Sequence, residues 1–421
     1  MTTNHQSPAQ YRISITIIGI LFFIFGFVTW VNGTLIPYLK IACELESEFQ
    51  SFLVVTAFFI AYTVMAIPSS SVLSRVGYKK GMSLGLFIMA AGAGLFIPAA
   101  QSRDFNMFLG GLFIIGTGLA LLQTASNPYV SIIGPIESAA SRISIMGISN
   151  KFAGIIAGLI FGAIALSDVD GLEARLATMD AATKAAELDA LAARVINPYI
   201  IITVVLVILG IGVLFSPLPD INDEADDTTS SESNGKTSIF QFPHLFLGVL
   251  AIFCYVGVEV MAGDTIISYG KALGIELSTA RYFTSATLTF MVLGYIVGVF
   301  AIPKYLSQEM ALKVTAIMGV VFTIAAVLLP GYYSVASIAL LGLANSLIWP
   351  AIFPLGIEGL GKFTKTGSAL LIMGIAGGAI LPLVYGKLAE IIGNQQAYLL
   401  MLPCYIYILY FAIKGHRVGR A

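Results

Sequence analysis

Apolar residues along this chain run in long blocks rather than at alternating or every-third positions. Twelve such blocks fall at about 13–37, 50–73, 80–100, 106–133, 143–166, 197–216, 243–270, 280–302, 310–329, 332–357, 366–391 and 396–414. A helix that crosses a bilayer needs about 20 mostly apolar residues, so each block predicts one span. The expectation is an all-α membrane protein of twelve transmembrane helices embedded in a lipid bilayer. Two stretches interrupt the pattern. Residues 167–196 include the Ala-rich amphipathic run GLEARLATMDAATKAAELDALAARV, which predicts short helices on one surface, either a spacer or a lid. Residues 217–238, SPLPDINDEADDTTSSESNGKT, are acidic, rich in Ser and Thr, and unable to bury a core. They predict a flexible cytoplasmic linker, dividing the chain into an N-terminal half, 1–216, and a C-terminal half, 239–421.

Composition agrees with a lipid-facing surface. Only 11% of residues are charged and 57% are hydrophobic, against about 25% charged in an average soluble domain. The net charge of -1 offers no basic face for nucleic acid. Cys43, Cys254 and Cys404 are far apart in sequence, and His5, His244 and His416 lie near span ends or in tails. Neither set has metal-binding or catalytic spacing, so no cofactor and no enzymatic activity are expected. The polar start MTTNHQSPAQYR lacks a signal peptide's basic region and cleavage site. Lys and Arg favour the inside when the N-terminus is cytoplasmic, as in SRVGYKKG at 74–81, which places both termini inside.

The halves carry weak internal matches. FGFVTWVNGTLIPYL in the first span aligns with VGVEVMAGDTIISYG in the seventh, pairing Gly33 with Asp264, and QTASNP in the fourth aligns with NSLIWP in the tenth, pairing Gln123 with Asn345. Polar residues inside spans are costly in lipid and are expected to face the bundle interior or a wet cavity. They include Asn32, Gln123, Asn127, Asn150, Lys151, Tyr255, Glu259, Asp264 and Asn345. Gln123 and Asn127 are one turn apart and share a helix face. The two tryptophans, Trp30 and Trp349, fall one in each half beside amides. Amides for hydroxyls and an aromatic platform for an apolar ring face suit a neutral sugar. The alternative is interhelical bonding for the amides and interfacial anchoring for the tryptophans.

Glu259 and Asp264 are the main carboxylates within a predicted span. Glu259 could hold Na⁺, carry a proton, or pair with Lys151 as structural glue. Asp264 lies nearer the outer end, where solvation or sugar bonding is the competing role. Lys151 either reaches the cavity or snorkels inward.

The stretches FFIFGFVTWVNGTLIP, GLALLQTASNPYVSIIGPIESAASRISIMGISNK and WPAIFPLGIEGLGKFTKTGSALLIMGIAGGAILP resemble the fucose–galactose–glucose:cation symporter family of the major facilitator superfamily, nearest to its bacterial glucose/galactose transporters. The resemblance covers nearly the whole chain. It implies the major facilitator fold of two pseudo-symmetric six-helix halves, a bacterial inner membrane and hexose import coupled to a cation. It also implies a departure. Fucose permeases have an Asp where this chain has Gly33, a Glu where it has Gln123, and a Gln where it has Glu259.

Taken together, Gln123, Asn127, Asn32, Asn345, Trp30, Trp349, Asn150 and Lys151 are the expected substrate residues. Glu259 and Asp264 are the expected coupling residues, with Glu259 anchoring Na⁺ as the co-transported ion and H⁺ as the alternative. A rocking exchange between two half-bundles of a monomer would carry the hexose. An uncoupled facilitator and a transporter-derived sugar sensor are the rival readings.

Overall fold

The computed structural model describes residues 8–132, 139–166, 169–218, 237–302 and 304–419. Among these are twelve helical segments long and apolar enough to cross a membrane, as the apolar blocks predict. The described residues form helices and no strand. The first span is α1 (Pro8–Trp30) continued by α2 (Asn32–Ala42). It is followed by α3 (Glu48–Val76), α4 (Tyr78–Ser102), α5 (Phe105–Ile132) and α6 (Ala139–Ala165). Two short helices, α7 (Leu172–Leu176) and α8 (Ala181–Ala193), precede α9 (Ile196–Phe215). In the second half, α10 (Pro243–Asp264) runs into α11 (Ile266–Ala272), and the short α12 (Leu277–Ala280) leads to α13 (Phe283–Ala301) and α14 (Gln308–Leu328). The tenth span is α15 (Gly331–Asn345) plus α16 (Ile348–Ile357), and the eleventh is α17 (Thr364–Met373) plus α18 (Gly377–Ile392). The last combines α19 (Asn394–Ala397) with α20 (Met401–Ile413). An even number of spans puts both described chain ends on one face, called here the terminal face; the other is the distal face. Most of the expected linker, 219–236, lies outside the described residues.

Of the interrupted spans, the first, seventh and tenth open for a local reason that can be named. Pro350 has no N–H for the Ser346 carbonyl, and the tenth span opens at Ser346–Leu347. Pro37 leaves the Gly33 carbonyl in the same position, and the first span opens within a turn of it, at Val31. The seventh span has no proline there. Instead, hydroxyls take up carbonyls at its break: Thr265 Oγ1 donates to Met261 O at 2.7 Å and Thr284 Oγ1 to Gly263 O at 2.6 Å, while Thr287 Oγ1 is shared between Phe283 O at 3.2 Å and Ala262 O at 3.3 Å. With those carbonyls satisfied, the helix opens at Thr265 at little cost.

The halves are packed through matching close approaches. A Cβ at Gly116 on the fourth span would strike the Phe58 carbonyl of the second, and one at Gly342 on the tenth would strike the Thr287 carbonyl of the eighth. Glycine there permits the backbone contact on which helix packing in lipid depends. Around the perimeter, Ile201, Ile208 and Phe215 on α9, with Val297, Phe300, Val321 and Leu328 in the second half, are exposed apolar side chains. That belt fits a hydrocarbon environment.

Contacts between the halves concentrate from mid-bundle to the distal face. Glu390 accepts from Phe49 N, Thr56 Oγ1 donates to Ala379 O, and Arg281 donates to Gly162 O. The segment bearing α7 and α8 is tied to both halves. Tyr38 Oη donates to Leu191 O and Ala192 O, Arg103 pairs with Asp189, and Lys184 pairs with Glu44. Across the divide, Asp170 accepts from the Leu277 and Ser278 amides, and Glu173 pairs with Lys271 at 2.7 Å. The distal ends of the two halves are thus drawn together.

Candidate functional site

The breaks at Val31 and Ser346–Leu347 decide which polar side chains meet. Mid-bundle, between the halves, lies an open cavity, whose space of about 780 Å³ includes its solvent-filled mouth. Gln123 and Asn127 on α5, Asn150 and Lys151 on α6, Trp30 on α1, Glu259 on α10 and Trp349 on α16 all line it. Seven of the ten residues singled out from sequence therefore share one wall system.

The first-half wall is an interlocked polar surface. Gln123 Nε2 donates to Tyr62 Oη at 2.9 Å, leaving its carbonyl for another donor. Trp30 Nε1 donates to Asn150 Oδ1 at 3.2 Å, and Lys151 Nζ sits 4.2 Å from the centre of the Trp30 ring. Lys151 Nζ also pairs with Glu259 Oε1 at 2.8 Å, with both side chains about nine-tenths buried. This ion pair joins α6 to α10, one from each half. In this structure Glu259 is paired with Lys151. The lysine does not snorkel to the terminal face.

The two tryptophans differ in what they can offer. Trp30 is 2% exposed, with its N–H and one face already engaged. Trp349 is half-buried and stacks on Phe353, ring centres 5.7 Å apart, with Tyr255 tilted against it at 6.3 Å. Its remaining surface faces the cavity. It is the better aromatic platform.

Three expected residues are elsewhere. Asn345 is fully buried, and its Oδ1 accepts from Tyr405 Oη at 2.8 Å. The break after it turns Trp349 to the cavity and leaves Asn345 in the core of the second half. Asn32, just past the break at Val31, is fully buried in the distal half of the first span, with neither side-chain polar atom hydrogen-bonded. Asp264 is also fully buried at the end of α10 and is not on the cavity wall. In this structure, therefore, Asn32 and Asn345, expected as substrate residues, do not line the cavity. Tyr62, Tyr295 and Phe59 line the cavity without having been singled out. The signal available for Tyr62 and Tyr295 is a hydroxyl at mid-span, in AYTVM and LGYIVG, which is weak because tyrosine is common in membrane helices.

Residues 18–382 match the Major Facilitator Superfamily. A glucose/galactose transporter of Brucella abortus is 34% identical over 418 residues, which cover 99% of this chain and 97% of that protein. An L-fucose-proton symporter of Escherichia coli is 30% identical, over 96% and 93% of the two chains. Among solved structures, the crystal structure of the transporter FucP in the outward conformation superposes with a TM-score of 0.76 at 29% identity. The match covers 96% of this chain and 98% of that one.

Proposed function

The chain belongs to the Major Facilitator Superfamily, and from that premise we propose that it imports a hexose of the glucose/galactose class together with a proton, by alternating access. As a member it is a multi-pass sugar transporter and not an enzyme. The observation that carries the hexose reading is the convergence of Gln123, Asn127, Asn150 and Trp349 on one cavity between the halves. Amides both donate and accept, so they match sugar hydroxyls of either sense, while the Trp349 ring suits the apolar face of a pyranose. The relatives named glucose/galactose transporters support the same substrate class.

The distal ends are drawn together while the cavity is open, which suits one end state of a rocking cycle. The similar FucP structure is described as outward, and it suits the opposite state. With both termini cytoplasmic, as the distribution of Lys and Arg favours, the distal face is the outside and this state faces inward. The cycle must part Lys151 from Glu259 or carry them as a hinge, since they lie in different halves.

Sodium, the ion expected from the loss of an acid at Gln123, would have to share Glu259 with Lys151, which already holds its Oε1. The relatives named L-fucose-proton symporters favour the proton. One charge moving down 100 mV contributes about 2.3 kcal/mol, enough to sustain about a fifty-fold sugar gradient.

The test is glucose and galactose uptake into proteoliposomes under an inward H⁺ gradient, an inward Na⁺ gradient, or neither. Accumulation under the H⁺ gradient alone is expected. Accumulation only with Na⁺ would restore sodium, and equal uptake in all three would leave an uncoupled facilitator.

A further inference from the structure

The break in the seventh span places a carboxylate where the two halves meet on the distal side. Asp264 is fully buried, and neither oxygen makes a hydrogen bond of regular geometry. It faces Gly33 on α2, across the divide. A Cβ at Gly33 would sit 3.2 Å from Asp264 Oδ1 and 2.9 Å from Thr284 Oγ1. The missing side chain is what lets the first span close over the acid. On either side of Gly33, the Asn32 amide and the Thr34 hydroxyl are likewise buried without hydrogen-bond partners.

Among the described residues, no charge forms an ion pair with Asp264; the Lys151 ammonium acts on it only from a distance and is already held by Glu259. On α10 the next acid is Glu259, five residues or about 7.5 Å along the axis, and its charge is met by Lys151 of α6. On α2 the charged residue is Lys40, paired with Glu48, and on α11 it is Lys271, paired with Glu173. Neither α13 nor α15 carries a charged residue. Arg281, just before α13, donates to Gly162 O and Tyr282 Oη, while Lys387 and Glu390 on α18 pair with each other. With no ion-pair partner and only the Gly33 backbone N–H in weak reach, a buried ionised carboxylate is costly to hold.

We propose that Asp264 is a proton-binding group of the distal gate: the gate closes over the neutral acid, and ionisation of the acid favours reopening. A hard cation would need several oxygens around it. At this helix end the carbonyls of Met261 and Gly263 already accept from Thr265 and Thr284, and that of Ala262 shares the Thr287 hydroxyl with Phe283 O. A proton needs no such cage. It also converts an acceptor-only group into a donor. Closure then takes up one proton. The sign follows: low pH favours the closed gate, and closure is lost as pH rises, by up to tenfold per unit.

This rests on the alternating-access reading, and the test reads the gate without sugar. Glu173→Cys and Lys271→Cys are introduced together on a Cys43→Ser background in the full-length protein in proteoliposomes. The pair is bridged with a short bismaleimide between about pH 5.5 and 8.5, and normalised to labelling of each single cysteine. With Asp264 intact, cross-linking should fall several-fold over this range. Asp264→Asn, which mimics the neutral acid, should give a high yield that does not change with pH. Gly33→Ala should lower the yield at every pH while keeping the slope. The same pH profile with and without the carboxylate would overturn the proposal, as would an unchanged yield in Gly33→Ala. Dependence of the yield on Na⁺ at fixed pH, abolished in Asp264→Asn, would replace the proton with sodium. If the gate responds to pH as expected while no hexose is taken up, the gate inference stands and the substrate assignment falls.

Discussion

Glu259→Gln tests whether the Lys151–Glu259 pair carries structural weight at the divide between the halves. The 2.8 Å pair has side chains only 9% and 10% exposed. Removing one partner of a buried ion pair typically costs 3–5 kcal/mol, because the other charge is left uncompensated. Here Trp30 keeps its face to the ammonium at 4.2 Å, and a desolvated cation–π contact retains about 2 kcal/mol. The Gln carbonyl can also accept from Lys151. A net loss of about 1–3 kcal/mol follows, equivalent to a fall of about 1–3 °C in unfolding midpoint for a chain of this length. Lys151→Met should cost a similar amount, since it strands Glu259. The double variant should recover more than half of the loss, because no bare charge remains. Unfolding midpoints in detergent for the four proteins complete the cycle. If the two single effects simply add, within about 0.5 kcal/mol, the residues do not act as a pair and the argument fails. If Glu259→Gln leaves the midpoint unmoved but abolishes Na⁺-driven accumulation, the carboxylate is a sodium ligand after all.

Gln123→Ala removes one amide from the cavity wall and frees Tyr62 Oη. At about 0.5–1.5 kcal/mol for a neutral hydrogen bond, hexose KM should rise roughly three- to tenfold, and an unchanged KM in uptake assays would remove Gln123 from the substrate site. Gly26→Ala would drive a methyl onto the Asn150 carbonyl oxygen, so folded protein should be lost on size-exclusion chromatography, while Gly19→Ala, with open space around it, should behave as the parent. Asp170→Ala removes the acceptor of the Leu277 and Ser278 amides. The loss of a helix cap costs about 1 kcal/mol, so spin-label distances across the distal face should shift about fivefold toward the open population, with no shift expected for the more exposed Lys271→Ala pair.

Much of the candidate site was legible as chemistry but not as geometry. Gln123, Asn127, Asn150 and Lys151 stand out because polar side chains inside apolar runs must find an interior, and all four did line the cavity. Asn345 has the same credentials and faces Tyr405 instead, because a proline one turn later breaks its helix. The internal match that paired Gly33 with Asp264 named two residues that prove to face each other across the divide, yet nothing in the alignment indicated contact. Glu259 had three roles open to it. That it meets Lys151, 108 residues away along the chain, could be seen only in the tertiary structure.

The sequence by itself determined that this chain is helical, that it is built for lipid, and that it crosses about twelve times. Those properties follow from run length and hydropathy, which are local and need no knowledge of neighbours. Its resemblance to known symporters also carried the fold and substrate class. The tertiary structure decided which polar groups share a cavity, which are sealed into the gate and which charges neutralise one another. Such facts depend on where helices break and on contacts between residues distant in sequence, where a rotation of one turn fraction moves a side chain from cavity to core.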